Sequence, residues 1–159
     1  MKKKIIIGAA AAAVLVTALI LMLESDEGKI KKNLSKLEKA ITKKGDEGLY
    51  SLLSKADKVA SCFSEECSIQ MKSPVRNING RKKILENIGA AFKVLKKLTV
   101  SFHDISVTIT GEKTAETLMT ATARTEGHEG IEAKEIEMKW LKTDDGWLID
   151  EVLEVETLR

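Results

Sequence analysis

A loose set of ionisable side chains could carry acid–base chemistry: Tyr50, His103, Asp104, Arg124 and Glu137. An imidazole titrates near neutral pH and can act as a general base, so His103 with its neighbour Asp104 would be the centre of such a site. The others could approach it if their strands are neighbours in a sheet. The alternative is that His103 and Asp104 form a solvent-exposed break in a strand. Both interpretations stay open, and Tyr50, His103 and Asp104 are the predicted catalytic candidates.

The two cysteines, Cys62 and Cys67, are the other discrete chemical feature. Within one helix, residues five apart point to different faces. Across a helix end, the Cα separation of about 4.4–6.8 Å that a disulfide needs can be reached. A disulfide is favoured if the domain lies outside the cytoplasm, and two reduced thiols are expected if it lies inside. The spacing is not the Cys-x-x-Cys of a redox-active pair.

Composition and motifs exclude several classes of function. Aromatic residues make up only 4% of the chain, too few for a surface that stacks on bases, so no nucleic-acid partner is predicted. The only histidines, His103 and His128, lie far apart in a sequence without a Cys/His cluster, so no metal site is predicted. The sequence also lacks a glycine-rich phosphate loop and a G-x-S-x-G elbow, and no cofactor is expected.

The amino terminus carries a run of 19 uncharged residues, Ile5–Leu23, directly after Lys2–Lys4. As a helix this run would span about 28 Å, close to the roughly 30 Å hydrocarbon core of a bilayer. We predict an uncleaved membrane anchor over residues 1–24, with a cleaved signal peptide as the alternative. Because lysines favour the cytoplasmic side, the prediction is a single-pass membrane protein whose domain is extracytoplasmic.

Helical periodicity predicts three helices in the domain at residues 29–159, which follows a linker at residues 25–28. The helices cover Lys29–Lys44, residues 49–64 and Arg81–Lys97. Asp46 is placed to cap the second helix, and a short strand over Cys67–Lys72 leads into a loop that ends at Gly80. The many lysines of the first helix form either a solvated face or a surface for anionic lipid headgroups.

After Leu98 the apolar period changes from helical to two, which predicts strands. A change of parity at His103-Asp104 predicts a β-bulge, and a second change between Ala133 and Ile136 predicts another. Two bulges in neighbouring long strands imply a strongly curved sheet.

The end of the chain reads as a β-hairpin. Its strands cover roughly Ile131–Thr143 and Trp147–Thr157, and Thr143-Asp144-Asp145-Gly146 forms the turn. Trp140 and Trp147, which flank the turn, can close one end of a core. The predicted fold class is therefore α+β: a transmembrane helix, then three helices packed on a strongly curved, mainly antiparallel sheet.

This pattern resembles the nuclear transport factor 2-like superfamily, the cone-shaped fold of ketosteroid isomerases and SnoaL-like, polyketide-cyclase-like proteins. The resemblance rests on the two leading helices, on Gly80-Arg81-Lys82-Lys83-Ile84, and on Trp140-Leu141-Lys142-Thr143-Asp144-Asp145-Gly146-Trp147-Leu148-Ile149, which is similar to the family's W…dGW.I hairpin. It implies an apolar pocket at the open end of a cone. The expected pocket residues are Phe102, Met138, Trp140 and Trp147.

The family's best-known chemistry needs a carboxylate base and a tyrosine donor. Here the first helix has no tyrosine, and the Cys67–Lys72 strand has no carboxylate. We therefore expect a membrane-tethered, non-catalytic domain that binds an apolar small molecule or a protein partner. The alternative is a small acid–base enzyme of isomerase, cyclase or dehydratase type acting on an apolar molecule. A homodimer through the convex face of the sheet is a further expectation.

Overall fold

Residues 25–72, 74–127 and 130–156 are described by the computed structural model. The predicted membrane anchor at residues 5–23 lies outside them. Within the described residues, every helix is too short or too polar to cross a membrane.

The described residues contain three α-helices, which precede or interrupt the first strands as predicted. They are α1 (Asp26–Ile41), α2 (Leu49–Ala60) and α3 (Arg81–Val94). Helix α1 begins three residues before the predicted start because Ser25 caps it: the Ser25 hydroxyl accepts a hydrogen bond from the Gly28 N–H at 3.0 Å. The prediction that Asp46 caps α2 is wrong, since Gly48 occupies the cap position.

In the part of the chain that the structure describes, seven strands form one mixed sheet in the order β1-β4-β5-β6-β7-β2-β3. The strands are β1 (Lys43–Lys44), β2 (Phe63–Lys72), β3 (Val75–Asn79), β4 (Lys97–Ile109), β5 (Thr114–Thr125), β6 (Glu132–Thr143) and β7 (Gly146–Val155). Neighbouring strands are antiparallel except β2 and β7, which are parallel. The central meander β4-β5-β6-β7 is the predicted one.

The predicted helix ends and one predicted loop differ from the structure. Residues at the ends of the first two predicted helices belong to strands β1 and β2 instead, so α1 and α2 end early. Residues 75–79, predicted as loop, form β3, in which Ile78 pairs with Ile69 of β2. Pairing with a neighbouring strand determines the structure of these segments, and the periodicity of the local sequence does not reveal that pairing.

One predicted bulge is confirmed and the other is wrong. In β4 the pairing with β5 shifts between His103 and Ser106, and Asp104 has a φ of 53°. Strand β6 pairs with β5 without a shift, so the predicted bulge between Ala133 and Ile136 does not exist. Ala133 is exposed and faces away from the core, which explains the apparent change of parity.

The core lies between the helices and the concave face of the sheet. Leu34 of α1, Ile84 of α3, Met119 of β5 and Trp140 of β6 belong to one buried cluster. The predicted closing hairpin is confirmed: β6 and β7 pair up to Thr143 and Gly146, and Gly146 adopts a φ of 102°.

Both tryptophans of this hairpin are buried and hydrogen-bonded. The Trp140 indole donates to the Thr117 hydroxyl at 3.1 Å, and the Trp147 indole donates to the Asp26 carboxylate at 3.0 Å. Asn33 of α1 also donates to the Trp147 carbonyl oxygen at 2.9 Å. The Trp140 bond joins β6 to β5, whereas the two bonds of Trp147 tie α1 to β7, so α1 closes this end of the cone.

Candidate ligand-binding site

A cavity of about 520 Å³ lies in the concave face of the sheet, at the end away from the buried tryptophans. We call it the concave cavity. Its volume is within the range of about 300–1,000 Å³ that is usual for small-molecule sites. It is lined by Met71, Pro74, Arg76, Ile78, Val100, Ala121, Thr122, Ala123, Glu132, Lys134 and Ile136.

The alternation of strand β6 explains why the cavity combines an apolar floor with charged edges. Side chains two residues apart share a face of a strand. Trp140, Met138 and Ile136 are buried in the core, so Lys134 and Glu132 point to the same side. The core ends at Ile136, and the two preceding positions on that face carry charges because they border the opening.

Arg76 reaches the cavity only because β3 is a strand. It pairs with Met71 of β2, two positions from the Ile69–Ile78 pair whose side chains pack against the core. Arg76 therefore shares the concave face with Ile78 and places a guanidinium at the edge of an apolar floor. The sequence does not identify Arg76 as a site residue, because the segment after Pro74 predicts a loop and not the strand β3.

An ion pair between Lys134 and Glu154 adjoins the cavity. The Lys134 ammonium lies 3.0 Å from each carboxylate oxygen of Glu154, and the backbone N–H of Lys72 donates to the same carboxylate at 2.8 Å. The two side chains are only 20% and 14% exposed. Such charge-assisted hydrogen bonds fix both groups in place. The arrangement can orient a polar group of a bound molecule, or exchange a proton with it.

The predicted catalytic candidates lie elsewhere. Tyr50 is 90% exposed on α2. His103 is exposed and its Nε2 lies 3.2 Å from the Thr122 hydroxyl, and Asp104 is exposed at the bulge. None of the three lines the concave cavity.

The structure does not bring His103, Arg124 and Glu137 together. His103 pairs with Thr120, and Arg124 lies four residues further along β5, which is about 13 Å along an extended strand. Glu137 alternates with the buried Ile136 and Met138 and so faces the convex side. The acid–base cluster considered from the sequence is therefore not formed by the described residues.

The predicted pocket residues belong to the core or pack against it, and none of them lines the concave cavity. Met138, Trp140 and Trp147 are at most 5% exposed and belong to the core, and Phe102 is half-buried against it. On β6 the cavity lining begins at Ile136, the next residue on the same face of the strand before Met138. That they contact a ligand stays a prediction.

Both cysteines are free thiols in the structure, so the disulfide considered from the sequence is not formed. Cys67 is fully buried in the core, whereas Cys62 is half-buried and its thiol donates to the Lys58 carbonyl oxygen at 3.3 Å. Burial raises the pKa of both thiols, which keeps them protonated near neutral pH. Among the described residues, no three His, Cys, Asp or Glu side chains are grouped so that they could hold a metal ion.

Comparison with known proteins gives the family. The model of the SnoaL-like domain matches residues 53–152. The chain belongs to this family. The match confirms the resemblance to the nuclear transport factor 2-like superfamily, and it includes the cavity residues Arg76 and Lys134 but not Glu154. No curated protein matches the chain in sequence.

Solved structures share the fold of this SnoaL-like domain at low identity. A candidate aromatic ring hydroxylase from Novosphingobium aromaticivorans aligns with a TM-score of 0.69 and 15% identity, over 84% of this chain and 90% of that one. A candidate dehydratase of the NTF2-like family from Streptomyces avermitilis has a TM-score of 0.62 and 13% identity, over 84% and 97%. A domain of unknown function with a cystatin-like fold from Nostoc punctiforme has a TM-score of 0.65 and 18% identity, over 86% and 80%. At these identities the likeness concerns the fold alone.

Proposed function

We propose that this SnoaL-like domain binds an apolar small molecule in the concave cavity and does not transform it. The observation that carries the proposal is the cavity's lining: an apolar floor that includes Ile78, Ala121 and Ile136, with charged groups only at its edge. The sequence candidates for a general base, His103 and Asp104, lie outside it. An apolar concavity with few polar groups is the usual form of a ligand site.

The charges at the edge indicate what polar group the ligand carries. Arg76 is exposed and presents several N–H donors in a fixed plane, which suits a carboxylate, a sulfonate or a similar oxygen acceptor. Glu132 also lines the cavity, and its carboxylate disfavours a second negative charge there. We therefore propose an apolar body with one anionic or acceptor group as the ligand class.

Binding of anilinonaphthalene sulfonate to the full-length chain in a mild detergent tests this proposal, because that fluorophore joins an apolar body to one sulfonate. Ala121→Leu fills the floor and should abolish the saturable fluorescence gain, whereas Thr108→Leu on the exposed side of β4 should leave it unchanged. Arg76→Gln should weaken binding about tenfold, equivalent to about 1.4 kcal/mol, and Arg124→Gln is its charge-matched control. Equal binding by Ala121→Leu and the unaltered chain would refute the cavity as the site.

A second candidate function, an acid–base enzyme, is favoured by the Lys134–Glu154 pair beside the cavity. Two of the similar structures are candidate dehydratases, one of them a candidate scytalone dehydratase from Novosphingobium aromaticivorans. In such an enzyme the Glu154 carboxylate would take a proton from a hydroxylated ring, and Lys134 would return one to the departing hydroxyl. Incubation with hydroxylated bicyclic phenols, followed by mass spectrometry for loss of one water, tests this. Turnover that is lost in Glu154→Gln would favour the enzyme over the binding domain.

We also propose that residues 5–23 hold the domain at a membrane, with the domain extracytoplasmic. The support is the uncharged run itself and the lysines before it. Retention of the full chain in membranes washed at high pH, and digestion of the domain by a protease added outside spheroplasts, are the expected results. Release of the chain by the wash, or protection from the protease, would contradict the tether or its orientation.

Homodimerisation through the convex face stays a prediction. Leu118 and Leu141, on β5 and β6, are 48% and 37% exposed, and such a pair could contribute to an apolar interface. Sedimentation of the chain with and without Leu118→Glu tests it, since only a dimer through this face should dissociate.

A further inference from the structure

A groove between α1 and α2 gathers four lysines around one concavity of about 460 Å³. Lys36 and Lys39 come from α1, and Lys55 and Lys58 come from α2. The remaining lining residues are Ala40, Ser61 and Cys62, so the lining includes no carboxylate. We call this the lysine groove; it lies on a different face from the concave cavity and shares no residue with it.

Three of the four ammonium groups lack an ion-pair partner within the part of the chain that the structure describes. Lys55 donates to Glu47 at 2.7 Å and to the Thr42 carbonyl oxygen at 2.8 Å. Lys36, Lys39 and Lys58 are exposed, and no described carboxylate lies within ion-pair distance of them.

A favourable interaction with a helix end explains only two of these three lysines. Lys39 and Lys58 lie in the last turns of their helices, where a cation interacts favourably with the free carbonyl groups. Lys36 lies further inside α1 and gains little from that effect. Like charges that face one another across a concavity raise the free energy of the folded state, and an anion bound between them would remove that repulsion.

We propose that the lysine groove binds a phosphate group, either of a soluble phosphate compound or of a phospholipid headgroup. Lysine ammonium groups bind phosphate as point charges, and several of them around one concavity can neutralise a dianion. Ser61, at the groove's edge, adds a hydroxyl. A headgroup is one source because α1 begins directly after the apolar run at residues 5–23. Lys36 and Lys39 then lie about 15–20 Å along α1 from its start.

Cys62 provides a reporter inside the groove. Its thiol lines the concavity and is half-buried, whereas Cys67 is fully buried in the core. A bound anion should cover Cys62 and slow its alkylation by iodoacetamide, which peptide mass spectrometry locates at that residue. Because iodoacetamide is uncharged, the anion does not change its local concentration.

The experiment uses the full-length chain in two arms, both at constant ionic strength. In the first arm the chain is in a neutral detergent and pyrophosphate is titrated against chloride. In the second arm the chain is in phosphatidylcholine vesicles with or without phosphatidylglycerol, and soluble phosphate is omitted. We expect saturable slowing of Cys62 alkylation in at least one arm. Protection by pyrophosphate alone indicates a soluble ligand, and protection by phosphatidylglycerol indicates a headgroup.

Two double variants of equal net charge test whether the protection of Cys62 depends on the lysines of the groove. Lys36→Gln with Lys58→Gln should weaken protection about tenfold, each rate being compared with that variant's own rate without anion. Lys32→Gln with Lys93→Gln, at exposed positions outside the groove, should leave protection unchanged. No slowing in either arm, or an equal loss in both double variants, would overturn the proposal.

Discussion

Replacing Lys43 by methionine should destabilise the domain far more than the same replacement of its neighbour Lys44. Lys43 is 8% exposed, and its ammonium donates to the carbonyl oxygens of Phe92 and Leu95, each at 2.7 Å. These carbonyls belong to the last turn and the cap of α3, where backbone acceptors lack partners within the helix. Lys44, on the other face of β1, is exposed.

The expected loss follows from the two contacts. A hydrogen bond that involves a charged group contributes about 1.5–3 kcal/mol, and methionine leaves both acceptors without this donor. Part of the loss is offset, because methionine buries apolar surface and no longer requires an ammonium to leave water. We expect Lys43→Met to lower the free energy of unfolding by about 2–3 kcal/mol, which corresponds to a fall in Tm of about 5–10 °C.

Urea unfolding of the full-length chain in a mild detergent, followed by circular dichroism, measures this difference. Lys44→Met has the same side-chain change and the same change in net charge, and should cost less than about 0.5 kcal/mol. Hydrogen exchange should also show faster opening at the end of α3 in Lys43→Met alone. Equal effects of the two substitutions would refute the reasoning, because the loss would then come from net charge or strand propensity.

Three further predictions concern other contacts. Hydrogen bonding to the Lys55 ammonium holds the pKa of Glu47 at about 2, below its ordinary 4.5. The ionised Glu47 therefore stabilises the folded domain above about pH 4.5, and this stabilisation is lost as the pH falls towards 2. Glu47→Gln should flatten the acid limb of a plot of unfolding free energy against pH. Thr117→Val removes the acceptor of the buried Trp140 indole and should cost about 1–3 kcal/mol; an unchanged Tm would show that the bond contributes nothing. Asp104 has a φ of 53°, so Asp104→Gly should be neutral or stabilise the domain by up to about 1 kcal/mol, while Asp104→Val should destabilise it. A higher Tm for Asp104→Val than for Asp104→Gly would contradict a strained bulge.

Several elements of this fold could be predicted from local sequence because their causes are local. The apolar spacing of α1 and α3 requires only that one helix face be buried. The turn at Asp145-Gly146 requires a residue that tolerates positive φ. The bulge at Asp104 can be recognised in the sequence because every following side chain in β4 changes faces, which shifts the apolar alternation by one residue.

Predictions failed where a segment's structure depends on a distant partner. Residues 75–79 become β3 because β2 offers a free edge, and β2 in turn pairs in parallel with β7, far away in the sequence. Lysine at position 43 reads as a solvated helix residue until α3 places two carbonyl oxygens beside it. The sequence alone predicts Ala133 as a core residue, because it does not distinguish an apolar side chain on an exposed strand face from one on a buried face.

The sequence by itself determined the α+β class, the three helices, the curved meander and the family, because apolar periodicity and turn chemistry act between residues that are close along the chain. Only the tertiary structure decided the two candidate sites. The concave cavity takes Arg76 from β3 and Lys134 from β6, with Glu154 from β7 beside it, and the lysine groove joins α1 to α2. The cavity residues come together only when β2 pairs with β7, far away in the sequence, and the groove residues come together only when α1 and α2 pack beside each other.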